Sequence, residues 1–471
     1  MKTTNKTTIW TLMLMLLAAC SQSEVVTTYE QEAVKMPPPS TFSDIPVAFD
    51  VNDGEQAQTR TLQDNVTSLS SLETTGFGVF AYYTHGVYPT PPADNRYYPN
   101  FMYNQYVHWI SFATAENPNP DPPRGYWKYE PLKYWPNDYS EINGGAVDNQ
   151  GATGSGVKDR VSFFAYAPYV EVNPATGLPT DGTKTKGIIG FKENDATGDP
   201  MVHYVLGGED LVYDNRMDQY KGQAGGHEQA FSFKHALSAI IFNVGGYFDA
   251  QAAGQIDKDT YITIDEVKIK TTVAYDSWLN LRTGEWTIAD VGTGEVHVKN
   301  EGINERIRYK KDASERYTDG TDDDEVNPGV GRNANGTIAA ASSVITPLMQ
   351  PVDGVDQYAM IVPVEATDPE NMRTFEVTCS YWVWTFDPRN AVGITKVKNT
   401  ITNSVTLSFK ENGIEKGIEK GKVYAITMWL GMTSVKLEAK QDTSSNWPNN
   451  PEMWPSFPSS GGNVITFNTP N

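Results

Sequence analysis

Apolar residues recur at every second position from Ile45 onward. Ile45, Val47, Phe49 and Val51 alternate with Pro46, Ala48 and Asp50, so Ile45 to Val51 reads as a first strand with one apolar face. The same period marks Val161 to Tyr166, Phe231 to Phe233, Ala239 to Val244, Tyr261 to Ile269, Phe375 to Trp384, Val405 to Phe409, Val423 to Leu430 and Val435 to Ala439. These runs are rich in β-branched and aromatic side chains, and no amphipathic helix of convincing length interrupts them. Trp278 to Trp286, with Thr283-Gly284 near its middle, reads as one hairpin. Glycine and proline fall mostly between the runs, as turn chemistry requires. The expectation is an all-β chain of two tandem β-sandwich domains.

The pattern differs at both ends. Lys2 and Lys6 precede an apolar run, Ile9 to Leu17, broken only by Thr11, and Leu17-Ala18-Ala19-Cys20 closes it. Such a run is too short to span a bilayer and reads as an export signal ending in a lipoprotein cleavage motif. Residues 1–19 are then a signal peptide, and Cys20 is the lipidation site. An ordinary signal peptide that happens to contain a cysteine is the alternative; export follows from either. Residues 20–44, with Pro37-Pro38-Pro39, read as a lipidated tether. Residues 45–226 and 227–440 are the expected sandwich domains, meeting near Gly225-Gly226. Residues 441–471 form a proline-rich tail with one late alternating stretch, Val464-Ile465-Thr466-Phe467.

Charge narrows the partners. The formal net charge is −21, and loss of residues 1–19 removes two lysines and leaves −23. So acidic a surface argues against nucleic acid. Cys379 lies on the inward side of an alternating run and reads as a buried small hydrophobe rather than a reactive thiol. The carboxylates Asp319, Asp322, Asp323, Asp324 and Glu325 lack EF-hand spacing and read as a solvated loop rather than a Ca2+ site. His235 has no serine or cysteine nucleophile motif beside it, so a core or edge histidine is expected. A glycosidase carboxylate pair leaves no local signature. Trp127, Tyr129, Tyr134 and Trp135 are spaced to pack one end of a sandwich, with a sugar-stacking platform as the other reading. No cofactor, no metal and no enzymatic activity are expected.

Three blocks carry a family resemblance. The first is Tyr126-Trp127-Lys128-Tyr129-Glu130-Pro131-Leu132-Lys133-Tyr134-Trp135-Pro136 with Val161-Ser162-Phe163-Phe164-Ala165-Tyr166-Ala167-Pro168-Tyr169. The second is Phe231-Ser232-Phe233-Lys234-His235-Ala236-Leu237-Ser238-Ala239-Ile240, and the third Gly421-Lys422-Val423-Tyr424-Ala425-Ile426-Thr427. In this order, behind the cysteine motif, they resemble the fimbrillin-like lipoproteins, pilus subunits of Bacteroides-type bacteria. The resemblance implies tandem sandwiches, lipoprotein export to the outer membrane, cleavage by an arginine-specific surface protease and polymerisation with other fimbrial subunits by strand exchange.

Matched to that pattern, Arg60 is the expected cleavage residue and Thr61 the new N-terminus, with Ile45, Val47, Phe49 and Val51 on the removable strand; an ordinary surface arginine in a protein that stays lipid-anchored is the other reading of Arg60. Val464, Ile465, Thr466 and Phe467, after Ser459-Ser460-Gly461-Gly462, are the visible candidate for a donor strand; a passive surface tail is the other reading. A lipid-anchored protein that binds a glycan or host receptor without polymerising is the alternative function.

Overall fold

Period-two patterning becomes strand along about two thirds of the chain that the computed structural model describes, which is residues 42–51, 72–85, 87–88, 99–112, 125–136, 159–221, 228–246, 261–299, 302–304, 345–350, 357–386, 394–407, 409–411, 414–431, 434–441 and 464–465. Among them are β1 (Phe42–Pro46), β2 (Ala48–Val51), β3 (Phe77–His85), β4 (Met102–Ser111), β5 (Gly125–Lys128), β6 (Tyr134–Pro136), β7 (Asp159–Ala167) and β8 (Gly187–Glu193). Next come β9 (Pro200–Val205), β10 (Val212–Gln219), β11 (Glu228–Phe231), β12 (Lys234–His235), β13 (Ser238–Gly246), β14 (Tyr261–Asn280), β15 (Trp286–Lys299) and β16 (Ile345–Pro347). The last are β17 (Tyr358–Ile361), β18 (Thr374–Phe386), β19 (Ile394–Thr406), β20 (Phe409–Glu411), β21 (Ile414–Lys416), β22 (Val423–Leu430), β23 (Val435–Gln441) and β24 (Val464–Ile465).

Three large sheets organise these strands. The first runs β12-β10-β7-β3-β4-β5, the second β23-β22-β13-β17-β24 with β16 beside β13, and the third β19-β18-β14-β9-β8 with β15 beside β14. The second and third sandwich one core: Ile240, Phe242, Tyr424 and Ile426 share it with Val267, Ile269, Phe375 and Val377. In β18 the inward positions Phe375, Val377, Cys379, Tyr381 and Val383 are all buried, as alternation requires. The fold is all-β.

The first sheet is apolar on both faces. Phe80, Tyr82, Phe164 and Tyr166 join the core of the other two sheets. Phe77, Val79, Tyr83, Phe163 and Ala165 face a second core with Val47, Phe49, Trp127, Tyr129, Trp135 and Phe231. The hairpin turn between β14 and β15 pegs the halves together. The Asn215 side-chain amide donates to the carbonyls of Leu281 and Arg282, at 3.0 and 2.9 Å, and Lys420 Nζ donates to that of Gly284 at 2.8 Å.

Several expected spans differ. The stretch Ile45 to Val51 is two strands, β1 and β2, and β1 begins at Phe42, inside the expected tether. Phe231 to Phe233 straddles the gap between β11 and β12. Val405 to Phe409 is the junction of β19 and β20, where Leu407 donates its N–H to the carbonyl of Arg373 instead of a neighbouring strand. Gly225 and Gly226 lie outside the described residues. Strand pairing passes across that position both ways: β9 pairs with β14, and β11 pairs with β2.

Candidate functional site

Pro46 has no backbone N–H and so cannot donate to a ladder, and at this point the first strand changes partner. β1 pairs antiparallel with β6, Phe42 opposite Pro136 and Pro46 opposite Tyr134. Val47 donates its N–H to the carbonyl of Lys133 at 2.8 Å. β2 then runs parallel to β11, with Ala48 opposite Glu228 and Val51 opposite Phe231. Val47 and Phe49 are buried, Ile45 and Val51 half-buried, while Asp44, Pro46 and Asp50 are exposed. The Phe49 ring has the rings of Tyr129, Phe163, Phe231 and Phe77 around it, at 5.2, 5.7, 5.8 and 6.3 Å between centroids. The Tyr129 hydroxyl donates to the carbonyl of Val47 at 2.8 Å, and burial pushes its phenol up to about 12. Full burial of a valine or phenylalanine side chain stabilises a fold by roughly 1.5–3 kcal/mol.

The ladder around these side chains is peripheral. β1 with β6, and β2 with β11, form separate two-stranded sheets, and none of the strands of the first large sheet pairs with β1 or β2 among the described residues. The first strand therefore contributes to a core without contributing to the sheet that covers it. Carboxylates gather at its β11 side. Burial raises the pKa of Glu228, and the charge of Asp50 raises it further. Asp214, on β10, accepts the N–H of Ser232 at 2.7 Å, and burial raises its pKa against that bond and the nearby Arg216.

No protein-family model matches the chain. Over 242 residues it is 25% identical to the fimbrium subunit Fim1C of Phocaeicola vulgatus, a match covering 50% of each protein. The chain thus spans about half the length of the curated relative it matches. The crystal structure of a fimbrial protein from Bacteroides vulgatus aligns with 84% of this chain and 98% of its own, at 19% identity and a TM-score of 0.48. The chain is similar to a fimbrium subunit over about half its length.

The other expected positions fall as follows. Cys20, Arg60, Thr61, Thr466, Phe467 and the acidic loop Thr318 to Val330 lie outside the described residues. Val464 and Ile465 form β24, parallel to β17, with Val464 opposite Tyr358 and Ile465 opposite Ala359. Trp127, Tyr129 and Trp135 are buried packing residues, whereas Tyr134 is 41% exposed. Cys379 is buried and its thiol is pushed up to about 12 by burial alone. His235 is buried with Nδ1 2.6 Å from Asp210 Oδ2, off the line of an ideal hydrogen bond. Among the described residues no group of three or more His, Cys, Asp or Glu is placed to hold a metal ion. Asp210 and Asp214 escaped the sequence reading, because their partners Ser232 and His235 lie about twenty residues away and nothing local marks them.

Proposed function

We propose that this chain is a structural subunit of a cell-surface fimbria, exported as a lipoprotein through Cys20 and assembled by proteolysis-triggered strand exchange. Cleavage after Arg60 frees the segment Ile45 to Val51, and Thr61 becomes the N-terminus. The observation that carries this reading is that the first strand fills a core yet, among the described residues, pairs only with β6 and β11. Its departure leaves the six-stranded ladder whole while exposing apolar pockets and unpaired backbone groups, which an incoming strand fills. That strand must run as Phe42 to Val51 runs, antiparallel to β6 and parallel to β11. A head-to-tail contact of this kind is heterologous and extends into a filament when it does not close.

The segment Val464 to Phe467 remains the candidate donor, and to serve it must leave β17. Its alternation suits Ile465 in the Val47 pocket and Phe467 in the Phe49 pocket. Other fimbrial subunits, an arginine-specific surface protease and the outer membrane are the partners; no cofactor takes part.

The experiment is cleavage of the purified chain with an arginine-specific protease. A ladder of oligomers that is lost in Arg60→Ala and in a chain lacking residues 461–471 supports the reading, and a monomer that keeps Ile45 to Val51 bound defeats it. Cys20→Ser should abolish acyl labelling. The alternative, a lipid-anchored glycan- or host-binding protein, draws on the exposed rings of Phe112 and Tyr126, 5.8 Å apart beside the β4–β5 pair. Glycan affinity of the uncut monomer favours it.

A further inference from the structure

Departure of the first strand leaves β11 without the only strand it pairs with among the described residues. A four-residue segment with no ladder keeps its shape only if its neighbours hold it. Phe231 and Phe233 pack beside Phe77, at 5.7 and 5.5 Å, so side chains hold part of it.

The backbone is held separately, by the Asp214 carboxylate of β10, and the His235 side chain beyond it lies against Asp210. Directly after β11, the N–H of Ser232 donates to Asp214 Oδ2 at 2.7 Å, and the Asp214 side chain is 11% exposed with Arg216 Nε 3.7 Å away. Three residues further, the His235 ring lies against Asp210, whose Oδ1 accepts the N–H of Leu211 at 2.8 Å. Between them β12 pairs with β10, Tyr213 opposite Lys234 and Val212 opposite His235. Since β10 belongs to the six-stranded sheet, these contacts tie β11 to a part of the molecule that does not move with the first strand.

We propose that Asp214 is a positioning residue for strand exchange: it fixes the C-terminal end of β11, so that an acceptor edge of the right direction stands when the first strand leaves. The inference rests on the strand-exchange reading. A hydrogen bond from a main-chain N–H to a carboxylate is the strong, charge-assisted kind. An asparagine at 214 keeps an oxygen acceptor in the same place, whereas an alanine has none.

The test uses the full chain with the bond after Arg60 cut, and a fluorescent peptide of residues 42–51 as the incoming strand. Asp214→Ala should weaken peptide capture at least tenfold while the uncut variant still folds, because β2 supports β11 there. Asp214→Asn should restore capture to within about threefold of the parent. Amide exchange over residues 228–232 in the cut protein, read by mass spectrometry, should accelerate in the alanine variant and not in the asparagine variant. Capture and exchange both unchanged in Asp214→Ala overturn the assignment, as does an asparagine variant as impaired as the alanine one. If the parent captures no peptide, the exchange pattern alone decides the role of Asp214, and only the strand-exchange reading falls.

Discussion

The Phe49 ring stacks on that of Phe231, with centroids 5.8 Å apart and planes 24° from parallel. One ring belongs to the segment proposed to leave and the other to the wall proposed to stay. Phe49→Ala should therefore lower the stability of the uncut protein by roughly 3–5 kcal/mol, the usual range for a buried phenylalanine. In protein cut and assembled, the same substitution should have no effect on stability, whereas Phe231→Ala should weaken both forms. Denaturant unfolding before and after assembly reads the difference.

Tyr129 ties the middle of the first strand to the loop before β6. Tyr129→Phe removes the bond to the Val47 carbonyl and should cost about 1 kcal/mol, a typical net hydrogen bond. Burial pushes its phenol from the ordinary value of 10.0 up to about 12. A raised folded pKa gives stability that is complete below the unfolded pKa and lost as pH rises through the folded one. Unfolding midpoints should thus hold to about pH 10 and fall toward pH 12. The fall should be shallower in Tyr129→Phe.

Asp50 and Glu228 put like charges on neighbouring parallel strands. Burial first and the Asp50 charge second raise the pKa of Glu228, so ionisation of Glu228 opposes β2–β11 docking, which is firmest below the ordinary carboxylate range and weakens as pH rises through the raised value. Asp50→Asn should slow loss of the 42–51 segment from cut protein at neutral pH, with much less effect at pH 4. Release timed by size-exclusion chromatography at the two pH values checks this.

The inward face of the first strand was legible because a period of two needs only neighbouring residues to declare itself. The break at Val47 was not, since Lys133 and Glu228 supply the competing partners from far along the chain. The hairpin ending at Trp286 was legible from Thr283-Gly284, but its seat against Tyr213 and Lys420 was not. In the aromatic block, Trp127, Tyr129 and Trp135 turn inward as packing residues while Tyr134, one position from Trp135, turns outward by strand alternation. Sheet membership across residue 226 was hidden for the same reason as Asp214: pairing over such distances is set by the whole fold.

Gly284 sits at φ +70°, and a Cβ there would lie 1.8 Å from the Tyr213 hydroxyl. Gly284→Ala should cost more than about 1 kcal/mol, because strain adds to the clash. Since this turn pegs β10 to the loop at Lys420, the loss should appear as a single lowered thermal transition. A calorimetric scan in which only one half melts earlier contradicts the peg.

The N-terminal residue of the subunit in fimbriae isolated from cells bears most directly on strand removal. The account predicts Thr61, with Arg60→Ala accumulating as an acylated monomer that begins at Cys20. Assembled fimbriae whose subunits begin at acylated Cys20 and retain Ile45 to Val51 would contradict it.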